Sequence, residues 1–326
     1  MKRTLLGALF ATVAAPALAQ AQSSGDCGEV SITEMNWASA QIVTTVASFI
    51  MREGYGCEVT VVPSDTVPAV TSLAENGEPD IVTELWLNST GDTYERLEEE
   101  GKVQRLTKVI EPGGVEGWWI PAYLAEEHPE LTTIEGVMEN PDLVGGRFNN
   151  CPTGWGCRVV NDNLVRALDL EASGLEVFNH GSGSTLATSM AAAYEDEEPW
   201  FGYYWGPTVP LGKYDMVEVE LGEVKPEVHA RNQNQDADNP GVSGFPNAPV
   251  FTVVTTEFQE SHPEITEFLS NMSFDVETLS SVLAWKDENN ATAQEAAVHY
   301  LTTYQDAWSG WLSEDARENL ANLLGQ

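Results

Sequence analysis

Residues 29–62 read EVSITEMNWASAQIVTTVASFIMREGYGCEVTVV, and their periodicity decides the fold class. Glu29 to Asn36 alternates as a half-buried strand does. Ser39 then reads as the cap of a helix with Ile42, Val46 and Ile50 on one face, and Gly54 as its stop. Cys57 to Val62 is a second strand. Outward from there, Pro68 to Asn76 reads as a short helix after the Asp65-Thr66 turn, and Asp80 to Leu85 as a third strand. Strand, helix, strand, helix, strand implies an α/β fold with a mostly parallel sheet. Ligands of such sheets bind beyond the carboxyl ends of the strands, where Trp37 and Trp86 both stand.

The second half of the chain carries the same grammar. Gly113 to Ile120 is a strand in which Glu116 and Trp118 share one face and Trp119 takes the other. One of the two tryptophans is expected in the core; the other, with Glu116, faces a cleft. Arg147 to Asn149 leads into Asn150-Cys151-Pro152-Thr153-Gly154-Trp155-Gly156-Cys157. An oxidised pair would close a small, stiff loop there. Gly154 and Gly156 let it turn and leave backbone N–H groups unshielded. A helix (159–168), a strand (176–178), a Gly/Ser-capped helix to Tyr194 and an aromatic strand ending at Trp205 follow. The polar stretch 224–247 looks like a return crossing and Pro249 to Thr255 like a strand of the first lobe. The expected division is lobe I over 27–115 plus 248–326 and lobe II over 116–247. Thr292 to Glu295 is a capping box, and Trp285, Trp308 and Trp311 read as packing residues of a helical tail.

The 326 residues carry 15 basic against 51 acidic side chains, a net charge of −36, which argues against nucleic acid and anionic membrane as partners. Lys2-Arg3, the apolar run from Leu5 to Ala15 and Ala17-Leu18-Ala19 form a secretory signal over 1–21, cleaved near Ala19 or Ala21. The mature chain is therefore expected in the periplasm. An oxidising compartment turns four cysteines into two disulfides, Cys151–Cys157 and Cys27–Cys57. No spacing suits zinc, and no metal or cofactor is expected. About 300 mature residues exceed one ordinary core, which again favours two lobes.

Trp37, Trp86, Trp155 and Trp205 thus follow strand ends or glycine turns, two from each expected lobe. Indole faces attract a methylated ammonium, whose charge lies behind methyl groups that donate no hydrogen bond; each ring contributes ~0.5–2 kcal/mol once water is excluded. With Cys151-Pro-Thr-Gly-Trp-Gly-Cys157, Thr83-Glu-Leu-Trp86 and Tyr203-Tyr-Trp205, the chain resembles the periplasmic binding proteins of glycine betaine and proline betaine ABC importers. That family also contains choline and trimethylamine N-oxide binders. The resemblance implies a two-lobed, type II Venus flytrap that delivers its ligand to an inner-membrane permease as a monomer. It places Trp86, Trp155 and Trp205 in the ligand box, and the Gly156 and Cys157 amides at a betaine carboxylate. Thr90 stands where the betaine receptors carry a His, so a hydroxyl replaces a charge. A cleft-facing Glu116 would repel a carboxylate, and it suits an N-oxide through a water, or a cation lacking an anion. Trimethylamine N-oxide and choline therefore stand beside the betaines as ligands. The competing class is a secreted glycoside hydrolase using two of Glu84, Glu116 and Asp80; without a nucleophile elbow or metal motif, no enzyme is expected.

Overall fold

The computed structural model describes residues 27–235 and 237–324. The expected signal segment lies outside them. Among the described residues ten strands are formed: β1 (Glu29–Met35), β2 (Glu58–Ser64), β3 (Ile81–Trp86), β4 (Val103–Pro121), β5 (Arg147–Asn150), β6 (Glu176–Asn179), β7 (Gly202–Gly206), β8 (Met216–Glu218), β9 (Ala248–Thr255) and β10 (Phe274–Asp275). Their order is β2-β1-β3-β9-β4-β7-β5-β6, with β8 and β10 also paired to β4. β1 pairs in parallel with β2 and β3, and β5 with β6 and β7, as crossover helices require. β9 is the antiparallel member, slotted between β3 and β4.

β4 ties the two groups of strands together. Val103 to Gly114 pair with β9, Val115 to Trp119 with β7, and Trp119 to Pro121 with β8. The chain returns to β9 through a segment that includes a helix, Pro226–Asn232. Polar composition suggests a crossing alone there, because a short helix packed on one side offers little apolar periodicity.

The first helix, α1 (Ala38–Tyr55), departs from expectation at both ends. Trp37 holds the N-cap place with extended φ −123°, and Gly56, in the left-handed region at φ 73°, ends the helix and donates to the carbonyls of Arg52 and Met51. Ser39 lies inside the first turn, and its hydroxyl is committed elsewhere (below). Gly54 continues the helix; a Cβ there would meet Ala316 and Leu320 of the helix Glu314–Leu324 at 3.5 Å, an ordinary contact distance. The next helix, α2 (Thr66–Asn76), starts directly at the Asp65-Thr66 turn. All six β3 residues are buried, as is the α1 face containing Ile42, Val43, Val46, Ala47 and Ile50. Each large apolar side chain among them contributes ~1.5–3 kcal/mol by leaving water. The Cys27–Cys57 disulfide joins the approaches to β1 and β2, where the register pairs Glu29 with Glu58.

The tail is not one continuous helix. Ala293–Thr303 ends, a short helix Gln305–Trp308 follows, and Ser309–Trp311 is a 3-10 turn. Trp308 and Trp311 are core residues, and Trp285 is half-buried, stacked on His299 with centroids 4.1 Å apart. No described helix is long and apolar enough to cross a membrane.

Candidate functional site: a tryptophan-walled cavity

Four indoles surround one small cavity. Backbone position supplies each of them. Trp37 caps α1, Trp86 is the last residue of β3, Trp155 occupies the N-cap place of the helix Gly156–Leu168, and Trp205 lies in β7. Trp155 meets Trp37 edge to face at 5.3 Å and Trp205 at 5.0 Å. Trp205 is backed by the stacked ring of Tyr204 at 4.7 Å. All four are 4–7 % exposed.

The N–H edges of three rings are tied back to the protein. The Trp155 Nε1–H donates to Asn36 Oδ1 at 2.6 Å. The Trp37 Nε1–H donates to Glu84 Oε1 at 2.5 Å, and the Trp86 Nε1–H reaches the same oxygen at 3.4 Å. The Ser39 hydroxyl, displaced from capping, donates to it as well, at 2.7 Å. Glu84 sits where the β3–β9 register shifts, with φ 52°. It is fully buried, and burial pushes its carboxyl up to about 7 against the three hydrogen bonds that pull it down.

Between the rings lie a few polar groups. Glu116 Oε1 accepts from the Tyr203 hydroxyl at 2.7 Å and, at the outer limit of a hydrogen bond, from Ser89 at 3.5 Å. Glu116 Oε2 has no partner in the protein. Burial raises the Glu116 carboxyl, and burial beside that carboxylate raises the Tyr203 phenol. Gly156 and Cys157 open a 13-residue helix, so their amides have no intrahelical acceptor and lie at its positive end. Position 156 must be glycine, because a Cβ there would overlap the Ser89 carbonyl. The Cys151–Cys157 disulfide closes this loop.

The structure therefore brings Trp37, Trp86, Trp155, Trp205, Glu116, Gly156 and Cys157 to one cavity. Two expected site residues lie elsewhere. Trp118 is 0 % exposed, its Nε1–H donates to Asn161 at 3.0 Å, and its ring packs on Phe148 at 4.2 Å. It does share a strand with Glu116, but its indole is held among Phe148, Phe201 and Asn161. Trp119 is not in the cavity either, its indole donating to the Tyr204 carbonyl. Thr90 donates to the Leu87 carbonyl instead, because the 3-10 turn Leu87–Ser89 rotates Ser89 inward. Sequence reasoning misses Ser89, Thr66 and Tyr203 as lining residues. Tyr203 is legible, since it stands two residues before Trp205 in a strand and so shares its face. Asp80 lies at the far end of β3 from Trp86 and accepts from Ser31.

Contacts between sequence-distant segments close the cavity over. The Val67 N–H donates to the Gly154 carbonyl at 3.0 Å, and the Gly91 N–H to Gln233 Oε1 at 3.0 Å. The His229 ring nitrogen bonds the Asn88 carbonyl at 3.0 Å. A carbonyl only accepts, so that nitrogen carries a proton.

Two groups of strands, joined through β4 and shut on an aromatic cavity, make the α/β fold of a solute-binding protein. The chain belongs to the family described as the substrate binding domain of the ABC-type glycine betaine transport system, which it matches over residues 28–303. It is 22 % identical over 261 residues to the glycine betaine/proline betaine-binding periplasmic protein of Salmonella typhimurium, covering 75 % of this chain and 77 % of that one. An ABC-transporter choline binding protein solved with choline superposes with a TM-score of 0.73 at 18 % identity, covering 92 % of this chain and 99 % of that one. The glycine betaine/L-proline-binding protein of Borrelia burgdorferi gives 0.71 at 17 % identity, covering 89 % and 99 %.

Proposed function

We propose that this protein is the periplasmic receptor of an ABC importer for a compact, trimethylated onium solute. One observation carries the reading. Four indoles converge on a cavity that, among the described residues, no lysine or arginine lines, and the one acidic side chain among its lining residues is Glu116. Aromatic faces hold a charge that has no proton to donate, whereas ordinary ammonium ions would leave their N–H groups unsatisfied. Four rings contributing ~0.5–2 kcal/mol each, plus buried methyls, reach roughly the −8 kcal/mol of micromolar affinity.

Glu116 ranks the candidates. An ionised Glu116 accepts from the hydroxyl of choline and repels the carboxylate of glycine betaine. A protonated Glu116 donates to the oxygen of trimethylamine N-oxide. Those two ligands therefore fit better than glycine betaine, for which the Gly156 and Cys157 amides remain the anchor. The receptor acts as a monomer, with lobes over 27–115 plus 248–326 and 116–247 hinged at β4 and before β9, and hands its solute to an inner-membrane permease. The partner change along β4 supports those boundaries.

Calorimetric titration against glycine betaine, choline and trimethylamine N-oxide tests the reading, with glycine and glucose as controls. Micromolar binding of at least one onium solute, with quenched or shifted tryptophan fluorescence, is expected. Response to glucose alone would overturn it.

A further inference from the structure

We propose that Glu84 is the positioning residue and internal counter-charge of the onium site: Oε1 fastens the Trp37 and Trp86 indoles, and Oε2 carries a proton that leaves for solvent when the cation binds. This rests on the onium reading and adds to it a residue that does not line the cavity. The two oxygens of one buried carboxyl have different surroundings. Oε1 accepts from three donors, two of them box indoles on separate elements, at the start of α1 and the end of β3. Oε2 has no partner in the protein, although Glu84 is 0 % exposed. A neutral carboxyl resolves that asymmetry, with its carbonyl oxygen facing the donors and its hydroxyl on the free side. The left-handed backbone at φ 52° shows that the fold holds this side chain in place at a conformational cost.

A cation within reach of the carboxyl favours its charged form; an opposite charge at ~4–6 Å lowers a carboxyl by about 1–3 on the pH scale. Indole N–H groups bonded to a carboxylate also push electron density into their rings, which strengthens the faces offered to the ligand. Burial already holds the group at about 7, so its ionisation is free to respond near neutral pH. The titratable groups lining the cavity are Glu116 on β4 and Tyr203 on β7, bonded to each other, and Asp65 stands just before the lining residue Thr66. From α1 and β3 only hydroxyls and indoles act on Glu84.

The probe is tetramethylammonium, which neither titrates nor donates a hydrogen bond. Calorimetry at pH 7 in phosphate and in Tris reads the protons released on binding. Wild-type protein is expected to release about half a proton more than Glu84→Gln, the fraction that a group titrating near 7 still holds. Glu84→Gln is also expected to bind roughly tenfold more weakly at pH 8, the linkage counterpart of a tenfold drop in the carboxyl's proton affinity when the cation is bound. Equal proton release and equal affinity would overturn the proposal. Wild-type protein with nitrogen-15 tryptophan decides the tether without a variant. The Trp37 and Trp86 indole protons should titrate together, with a common midpoint, while that of Trp155 does not follow them. Separate or absent titration sinks the tether even if Glu84→Gln fails to fold. If wild-type protein ignores tetramethylammonium, the onium reading and the proton release fall together, and the indole titration still judges the hold on the two rings.

Discussion

Glu84 shows how much one side chain in an unusual backbone position can carry. Its carboxyl rises from 4.5 to about 7 on folding, so the folded state binds the proton more tightly than the unfolded chain. By linkage, that contribution is complete below about pH 4.5 and is lost as pH rises through about 7, a change of roughly 3 kcal/mol. Urea unfolding of wild type and Glu84→Gln at pH 5 and pH 8 checks this; the stability gap between them should shift toward the variant at the higher pH. At Trp155 the expected cost of Ala is ~1–3 kcal/mol of binding with the fold intact, since the ring faces the cavity. Trp308→Ala should cost ~3–5 kcal/mol of folding stability and leave affinity of the surviving protein unchanged, since that ring is buried away from the cavity with its N–H on the Leu301 carbonyl. Normal binding by Trp155→Ala would reduce the cysteine loop to scaffolding.

At the scale of elements, the loop 151–157 and the helix it opens act as one device. The disulfide closes a short ring, Trp155 takes the N-cap place, and the free amides of Gly156 and Cys157 follow at once. Loop-closure entropy assigns such a small ring about 2 kcal/mol of stability. Replacing both cysteines with serine should lower the unfolding free energy by about that amount and loosen binding further, because the amides lose their fixed place. Gly156→Ala tests closure itself. Its Cβ would overlap the Ser89 carbonyl, which belongs to the other group of strands, so the variant should be unable to close as seen here and should lose most of its affinity. Unaltered affinity would show that this approach is not needed for capture.

At the scale of the whole molecule, 51 acidic residues face 15 basic ones. The ion pairs observed are mostly solvent-exposed, such as Lys102–Glu100 and Arg105–Glu98, and each contributes little. Net self-repulsion therefore dominates and is screened by salt. The unfolding midpoint should rise as NaCl goes from about 0.02 M to about 1 M, while binding inside the water-excluded cavity changes far less. A falling midpoint would mean that the acidic surface is internally compensated. The same scale governs closure. The Asn36–Trp155, Val67–Gly154 and Gly91–Gln233 bonds join segments far apart in sequence, and scattering with and without ligand should show a more compact bound state.

By itself the sequence determined the α/β alternation, the placing of Trp37 and Trp86 at the exits of β1 and β3, and the glycine-cysteine loop around Trp155. These follow from local physics: strand and helix periods, the turning freedom of glycine, and the short span between two cysteines. Only the tertiary structure decided which side chains meet. It turned Ser89 rather than Thr90 toward the cavity, through one 3-10 turn, and sent Trp118 into the core against Phe148 and Phe201 while leaving Glu116 at the cavity. It also gathered Trp37, Ser39 and Trp86 on one oxygen of Glu84. Those outcomes depend on the angle at which distant segments pack, and no periodicity along a single chain encodes that angle.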